Sequence, residues 1–359
     1  MRKLIHFELR KIYSMRLAQI ALIGLLLLSI LFSLSAYLNK YAFDGNSVEG
    51  SGKAAVEIDK EIAARFEGAL TDKKVQQMMS EFLPKFDLHG MSAVSLYQNA
   101  MQSAAFARFS DRNGNWNGLS VSDVFGDEEI KIGYVDGWLS TSQNLTRVFT
   151  ILSLVIVIMI SPVFSGEYDG VDNIILTTKY GKTKCSTAKA IASVIAAILT
   201  TALIVAFNLI FAIALYGKSG LDCSILFAPK AYTKGFIPFN ITCATLLNYQ
   251  ILLAFTSAIS ITGITLLISA ISKKQIIALV ASAVVYISPV LLSMSETNPL
   301  FRYIGLMPLY HAQAISLMAV EQMRNGMLYA VWAVPVAVVL LSIGIFISRI
   351  VFAKHQVFT

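Results

Sequence analysis

Residues that could carry out chemistry are few in this sequence and stand far apart. The four histidines lie at positions 6, 89, 311 and 355, and none belongs to the His-Glu-x-x-His pattern that binds zinc from one helix face. The Gly-x-Ser-x-Gly turn that exposes a nucleophilic serine does not occur either. We therefore expect no metal site, no catalytic residue and no enzymatic activity on this chain.

One short segment imitates a phosphate-binding loop. Gly181-Lys182-Thr183 matches the end of the Gly-x-x-x-x-Gly-Lys-Ser/Thr pattern, but the first glycine of the pattern would fall at Leu176. Without that glycine the backbone cannot curl its amide groups around phosphates, and the segment follows no predicted strand. We expect that the chain does not hydrolyse ATP and carries no cofactor of its own.

Two of the three cysteines, Cys223 and Cys243, fall in the same region between two apolar runs. They would form a disulfide only if this region faced an oxidising compartment, and free thiols are the alternative. Polar residues inside the apolar runs are candidates for a substrate path, namely Asn208, Thr256 and Ser260. Such residues also hydrogen-bond membrane helices to one another, and this packing role is favoured.

The composition places most of the chain in a membrane. Of 359 residues, 56% are apolar and 14% are charged, whereas soluble domains carry about 25% charged residues. A helix needs about 20 apolar residues to cross the hydrocarbon core. The expected fold class is an all-α integral membrane protein with six transmembrane helices, centred on residues 17–39, 148–166, 190–217, 251–272, 275–295 and 325–348.

Basic residues beside the spans predict the orientation. With the N-terminus inside, the short cytoplasmic segments hold 13 Lys and Arg, and the outer ones hold five. We expect a multi-pass protein of the cell membrane, most simply a bacterial plasma membrane, with both termini cytoplasmic. The net charge of +7 follows from this topology, so no nucleic-acid partner is expected.

The remaining segments have distinct characters. Residues 1–16 place apolar and basic side chains at helical spacing, which predicts an amphipathic helix in the cytoplasmic interface. Residues 40–145 are predicted to form a small, mainly helical extracellular domain, with helices over 53–70, 72–86 and 92–109 and a loop over 110–137. Residues 146–350 form a five-helix region with an extracellular re-entrant hairpin at 298–324, and 351–359 form a cytoplasmic tail.

The loop between the second and third spans, residues 164–189, carries the most informative pattern. It begins with Gly166-Glu167-Tyr168-Asp169-Gly170 and later contains Asp172 and the basic turn Lys179-Tyr180-Gly181-Lys182. This loop resembles the coupling loop of the permease subunits of type 2 ABC transporters, in the branch with an extracellular domain between the first two spans. In that family an acidic residue follows the second span, a short helix lies along the membrane, and a basic cluster leads to the third span.

The resemblance implies which residues would contact an ATPase. Glu167 matches the acidic position of the family and Lys182 the basic one, and the full coupling set would be Gly166, Glu167, Tyr168, Asp169, Gly170, Asp172, Lys179, Tyr180 and Lys182. At the start of a short helix, Glu167 would bond to backbone amides or to a neighbouring basic residue, and its charge would contribute about 0.3–1 kcal/mol. We therefore expect its removal to loosen the loop without unfolding the protein.

The resemblance also implies a function and partners. The chain would be a transmembrane permease subunit that forms the substrate path, with export of a lipid, an amphipathic peptide or a drug favoured. ABC-type ATPase subunits would bind ATP and Mg²⁺, and a second permease copy or a related chain would complete the path among membrane lipids. The alternative is a non-transporting membrane sensor or scaffold whose extracellular domain binds a ligand.

Overall fold

The structure is a computed structural model that describes residues 1–85, 88–168, 181–229, 239–293, 303, 305–313 and 329–354. Most of these residues are helical. The helices are α1 (Arg2–Ser14), α2 (Arg16–Leu38), α3 (Lys53–Phe66), α4 (Asp72–Glu81), α5 (Ala100–Phe109), α6 (Val121–Phe125), α7 (Asp136–Ile160), α8 (Pro162–Ser165), α9 (Ser186–Tyr216), α10 (Cys243–Ile271), α11 (Gln275–Ser293), α12 (Pro308–Ala312) and α13 (Tyr329–Lys354).

Five helical segments among the described residues are long and apolar enough to cross a membrane. They are Arg16–Leu38, Asp136–Ser165, Gly181–Tyr216, Cys243–Ile271 and Val331–Lys354. These segments coincide with five of the six predicted spans, and α11 coincides with the remaining one as a shorter apolar helix. The apolar runs of the sequence therefore form helices as predicted, which gives the chain the character of a membrane protein.

The chain forms two compact units. Unit 1 contains residues 1–29, 145–208 and 249–359, and unit 2 contains residues 30–144 and 209–248. In unit 1, α10 and α13 cross at two glycines: a Cβ at Gly344 would collide with the carbonyl oxygen of Gly263, and one at Gly263 with that of Leu340. Such close backbone approach through small residues is typical of packed membrane helices.

Unit 2 is built on a core of aromatic and aliphatic side chains from α3, α4 and α5, with Phe66, Phe82, Phe106 and Phe109 almost fully buried. Two short antiparallel pairs border it: β1 (Tyr41–Phe43) with β2 (Glu49–Ser51), and β3 (Gly68–Ala69) with β4 (Lys131–Ile132). The predicted helices of this region are therefore present in a mainly helical unit.

The helix boundaries in unit 2 differ from the prediction. The helix predicted over 53–70 ends at Phe66, because Gly68 adopts a positive φ of 104° and starts β3. The helix predicted over 92–109 begins at Ala100, where the side chain of Asn99 accepts a hydrogen bond from the amide of Gln102. The predicted loop over 110–137 contains α6, closed by a Ser120–Asp123 capping box, and β4.

Candidate functional site

The start of the predicted coupling loop is hydrogen-bonded to the end of α10. The hydroxyl oxygen of Ser269 in α10 accepts hydrogen bonds from the amides of Phe164 and Ser165, at 3.0 and 3.1 Å. Three residues after α8, the Tyr168 hydroxyl donates to the carbonyl oxygen of Ala270 at 2.7 Å. The first residues of the loop are thus held against the end of α10.

Gly166 lies where a side chain would not fit. A Cβ at this position would stand 2.6 Å from the carbonyl oxygen of Pro162 and 3.0 Å from the side-chain nitrogen of Gln275. The glycine therefore allows the chain to pass closely between α8 and the start of α11.

Glu167 is the centre of a cluster of four charged side chains, which we call the loop-base cluster: the buried Glu8, Glu167 and Lys189 and the partly exposed Lys11. One carboxylate oxygen of Glu167 contacts the ammonium groups of Lys189 at 2.5 Å and Lys11 at 2.7 Å. The Lys189 ammonium also contacts both carboxylate oxygens of Glu8, at 3.0 and 3.1 Å. The cluster joins α1, the second residue after α8, and α9 at one point.

The burial of the loop-base cluster makes its ion pairs important for stability. The side chain of Lys189 is 0% exposed, and those of Glu8 and Glu167 are 7% and 3% exposed. Two carboxylates and two ammonium groups balance each other, whereas removing one partner from a buried pair costs about 3–5 kcal/mol. Glu167 therefore has basic side chains as its partners, which is one of the two expected arrangements. Its burial in ion pairs gives it a larger effect on stability than the expected 0.3–1 kcal/mol of a charge at a helix N-terminus.

The predicted coupling residues have different outcomes. Gly166, Glu167 and Tyr168 lie together at the loop-base cluster, whereas Lys182 is exposed in a π-helical turn, Gly181–Cys185, before α9. Asp169, Gly170, Asp172, Lys179 and Tyr180 lie outside the described residues. The motif located Glu167 but not its ion pair with Lys189, nor Glu8, which shares Lys189 with it. The one available signal was a lone acidic residue among the apolar positions of α1.

The candidate path residues lie within helices and bond to them. Asn208 donates to the carbonyl oxygen of Ile204 at 2.8 Å and lies 3.4 Å from the hydroxyl of Ser29. Thr256 and Ser260 donate to the carbonyl oxygens four residues earlier in α10. Thr256 and Ser260 thus bond within their own helix, and Asn208 in addition approaches Ser29 of α2.

Unit 2 holds a second buried charge cluster. The ammonium of Lys40 contacts Asp59 at 2.7 Å and also contacts Asp136, and the three side chains are 8%, 0% and 9% exposed. The second oxygen of Asp59 accepts a hydrogen bond from the amide of Ala100 at 2.9 Å, at the start of α5. Burial lowers the pKa of Lys40, while the charge of Asp59 opposes that shift.

The described residues contain no group of three or more His, Cys, Asp or Glu that could hold a metal ion. Cys223 and Cys243 are free and buried thiols, although the amide of Cys243 donates to the carbonyl oxygen of Cys223 at 3.0 Å. The candidate disulfide is therefore not formed in this structure, despite the proximity of the two residues. Burial raises the pKa of the Cys223 thiol to about 11.

Cys223 should resist alkylation in the native protein. At pH 8 a thiol with a pKa of about 11 is ionised in about one molecule in a thousand, against about one in four for an ordinary cysteine. Timed labelling with N-ethylmaleimide and peptide mass spectrometry should show at least 100-fold slower reaction at Cys223 than in the unfolded chain. A peptide linked through Cys223 and Cys243 under non-reducing conditions would contradict the free-thiol state.

Comparisons with protein-family models, curated proteins and solved structures find no match for this chain.

Proposed function

We propose that the chain is the transmembrane permease subunit of an ABC transporter and is driven by a separate ATPase subunit. The observation that carries this proposal is the buried ion pair between Glu167 and Lys189, shared with Glu8 of α1. It lies at the base of the loop that resembles the coupling loop of type 2 permeases. A coupling loop needs such a base, because force on a freely hinged loop would not reach the membrane helices.

The ion pair connects the two ends of the loop. Glu167 precedes and Lys189 follows its central part, and their charged groups lie 2.5 Å apart. Lys189 belongs to α9, a helix long enough to span a membrane, and Tyr168 is bonded to α10. A push on the loop by a closing ATPase would therefore move α8, α9 and α1 together.

The proposal includes the full topology predicted from the sequence. Six spans would cross the membrane with both termini in the cytoplasm, and the segment 40–145 within unit 2 would lie outside the cell. Two permease chains would enclose the path for a lipid, an amphipathic peptide or a drug. The partner ATPase would bind ATP and Mg²⁺, because the sequence of this chain lacks a phosphate-binding loop.

Site-specific photo-crosslinking in cells that produce the full chain tests the partner. A photoreactive amino acid replaces Lys182 on the exposed part of the loop, and Lys53, whose side chain is 80% exposed in unit 2, serves as the control position. We expect an ABC-type ATPase to be captured from position 182 and not from position 53. Capture of a signalling protein without an ATPase would instead support the sensor or scaffold alternative.

The captured ATPase allows a test of coupling in nanodiscs. Glu167→Gln keeps the shape of the side chain but removes its charge, and Glu57→Gln makes the same change at an exposed carboxylate of unit 2. We expect Glu167→Gln to reduce substrate-stimulated ATP hydrolysis at least tenfold with the ATPase still bound, and Glu57→Gln to leave it unchanged. Equal activities of the two variants would contradict a coupling role for the loop base.

A further inference from the structure

The rotation of α1 about its own axis is fixed by contacts within unit 1. Glu8 is buried and paired with Lys189, and Ile12, one helical turn later, is 2% exposed. The hydroxyl of Tyr13 donates to the carbonyl oxygen of Ala196 in α9 at 3.1 Å. The face of α1 that carries Glu8 and Ile12 is therefore packed within unit 1. This packing decides which side chains of α1 are exposed.

The exposed surface of α1 carries two kinds of side chain. Phe7 is 64% exposed, and Leu4, one helical turn before Glu8 at the edge of the packed face, is 38% exposed, although both are apolar. Lys3 and Arg10 are exposed beside them, and the spacings of Lys3 to Phe7 and Phe7 to Arg10 make them neighbours on the helix surface. We call these four residues, Lys3, Leu4, Phe7 and Arg10, the basic-apolar face.

We infer that the basic-apolar face binds the headgroups of anionic phospholipids, with Leu4 and Phe7 inserted beside them. Every residue of α1 is described, and its one acidic side chain, Glu8, is buried and paired, so the exposed charge of the helix is entirely positive. An amphipathic helix with basic and aromatic side chains on its free surface binds a membrane interface through both groups.

The position of α1 in the chain points to lipid as the occupant of this face. Met15 is extended between α1 and α2, and the membrane-spanning candidate α2 begins at Arg16. The basic-apolar face therefore begins within a few residues of a helix whose surroundings are acyl chains. The inference goes beyond the proposed transport function and holds whether or not an ATPase binds the loop.

Headgroup-selective fluorescence quenching on the full chain in nanodiscs tests the inference. The three native cysteines are replaced by serine, and a fluorophore is attached to a single new cysteine, His6→Cys, at an exposed position of α1. Spin-labelled phosphatidylglycerol and spin-labelled phosphatidylcholine are compared as quenchers, each at the same mole fraction in a phosphatidylcholine bilayer. We expect the anionic lipid to quench more strongly, and the difference to shrink in high salt.

Matched charge removals make the test specific. Lys3→Gln with Arg10→Gln should lower the preference for the anionic lipid by about 30-fold, since each basic residue near such a surface contributes about a factor of five. Lys273→Gln with Lys274→Gln removes two exposed lysines elsewhere in unit 1 and should leave the preference unchanged. Thermal unfolding of both variants should match the parent, which shows that the helix is still docked.

Three results would overturn the inference. Equal quenching by the two lipids would exclude anionic selectivity. Absence of quenching by either lipid would mean that another occupant, such as a protein partner, covers the face. An equal loss of preference in the Lys273/Lys274 variant would reduce the effect to net charge.

Discussion

Replacing Lys189 with methionine should destabilise unit 1 by about 3–5 kcal/mol, because it leaves two buried carboxylates with one partly exposed partner. Lys189 is the only member of the loop-base cluster that contacts both Glu8 and Glu167 in the described contacts. Methionine keeps most of the volume, so the loss reports the charge rather than a cavity. Thermal unfolding of the purified full chain in detergent should show a clear drop in the midpoint.

Two further variants separate the ion pairs from general effects of the substitution. Lys273→Met makes the same chemical change at an exposed position of unit 1 and should alter the midpoint little. Adding Glu8→Gln to Lys189→Met leaves Glu167 paired with Lys11 and should recover part of the lost stability. If the double variant were as unstable as the sum of the two single ones, the charges would not be coupled as the structure shows.

Replacing Lys40 with methionine should destabilise unit 2 by a similar amount, about 3–5 kcal/mol. The change leaves Asp59 and Asp136 buried without their shared cation, and Asp59 also holds the first amide of α5. Hydrogen exchange with mass spectrometry should show lost protection over Lys53–Phe66 and Ala100–Phe109, the two helices that Asp59 connects.

The matched control for Lys40 is Lys53, which pairs with Glu57 on the surface of α3 with side chains 80% and 60% exposed. Lys53→Met should change exchange rates little, because exposed ion pairs contribute about 0–1 kcal/mol. Adding Asp136→Asn to Lys40→Met should restore protection in part. Unchanged protection in Lys40→Met would show that the carboxylates tolerate burial without the lysine.

The two buried clusters differ from ordinary surface ion pairs in what they connect. The loop-base cluster joins residues 8, 167 and 189, and the cluster of unit 2 joins residues 40, 59 and 136. Each therefore brings together three segments that are far apart in the chain. Burying a charged side chain costs free energy unless the charge is fully paired. A buried ion pair that joins distant segments therefore stabilises only the one arrangement that completes the pairing.

The sequence by itself determined the apolar helices of this protein. Runs such as residues 17–39 and 190–217 are long enough and free enough of charge to predict apolar helices that could cross a membrane, and the structure has helices there. Local sequence also accounts for the start of α4, because threonine is a favoured N-cap residue and the side chain of Thr71 accepts a hydrogen bond from the amide of Lys74. An apolar run and a helix cap each depend only on residues that are close together in the sequence. They can therefore be predicted without knowing the tertiary structure.

Only the tertiary structure decided which charges are buried and what they contact. Glu8 and Lys189 are 181 residues apart in the chain, and the local sequence does not show that the two side chains pair. The sequence likewise does not show that Lys40, which directly follows the predicted span 17–39, is buried between Asp59 and Asp136. It also does not show which face of α1 is exposed. Helical spacing defines faces but not which face meets a partner, because that choice depends on the packing of segments far apart in sequence.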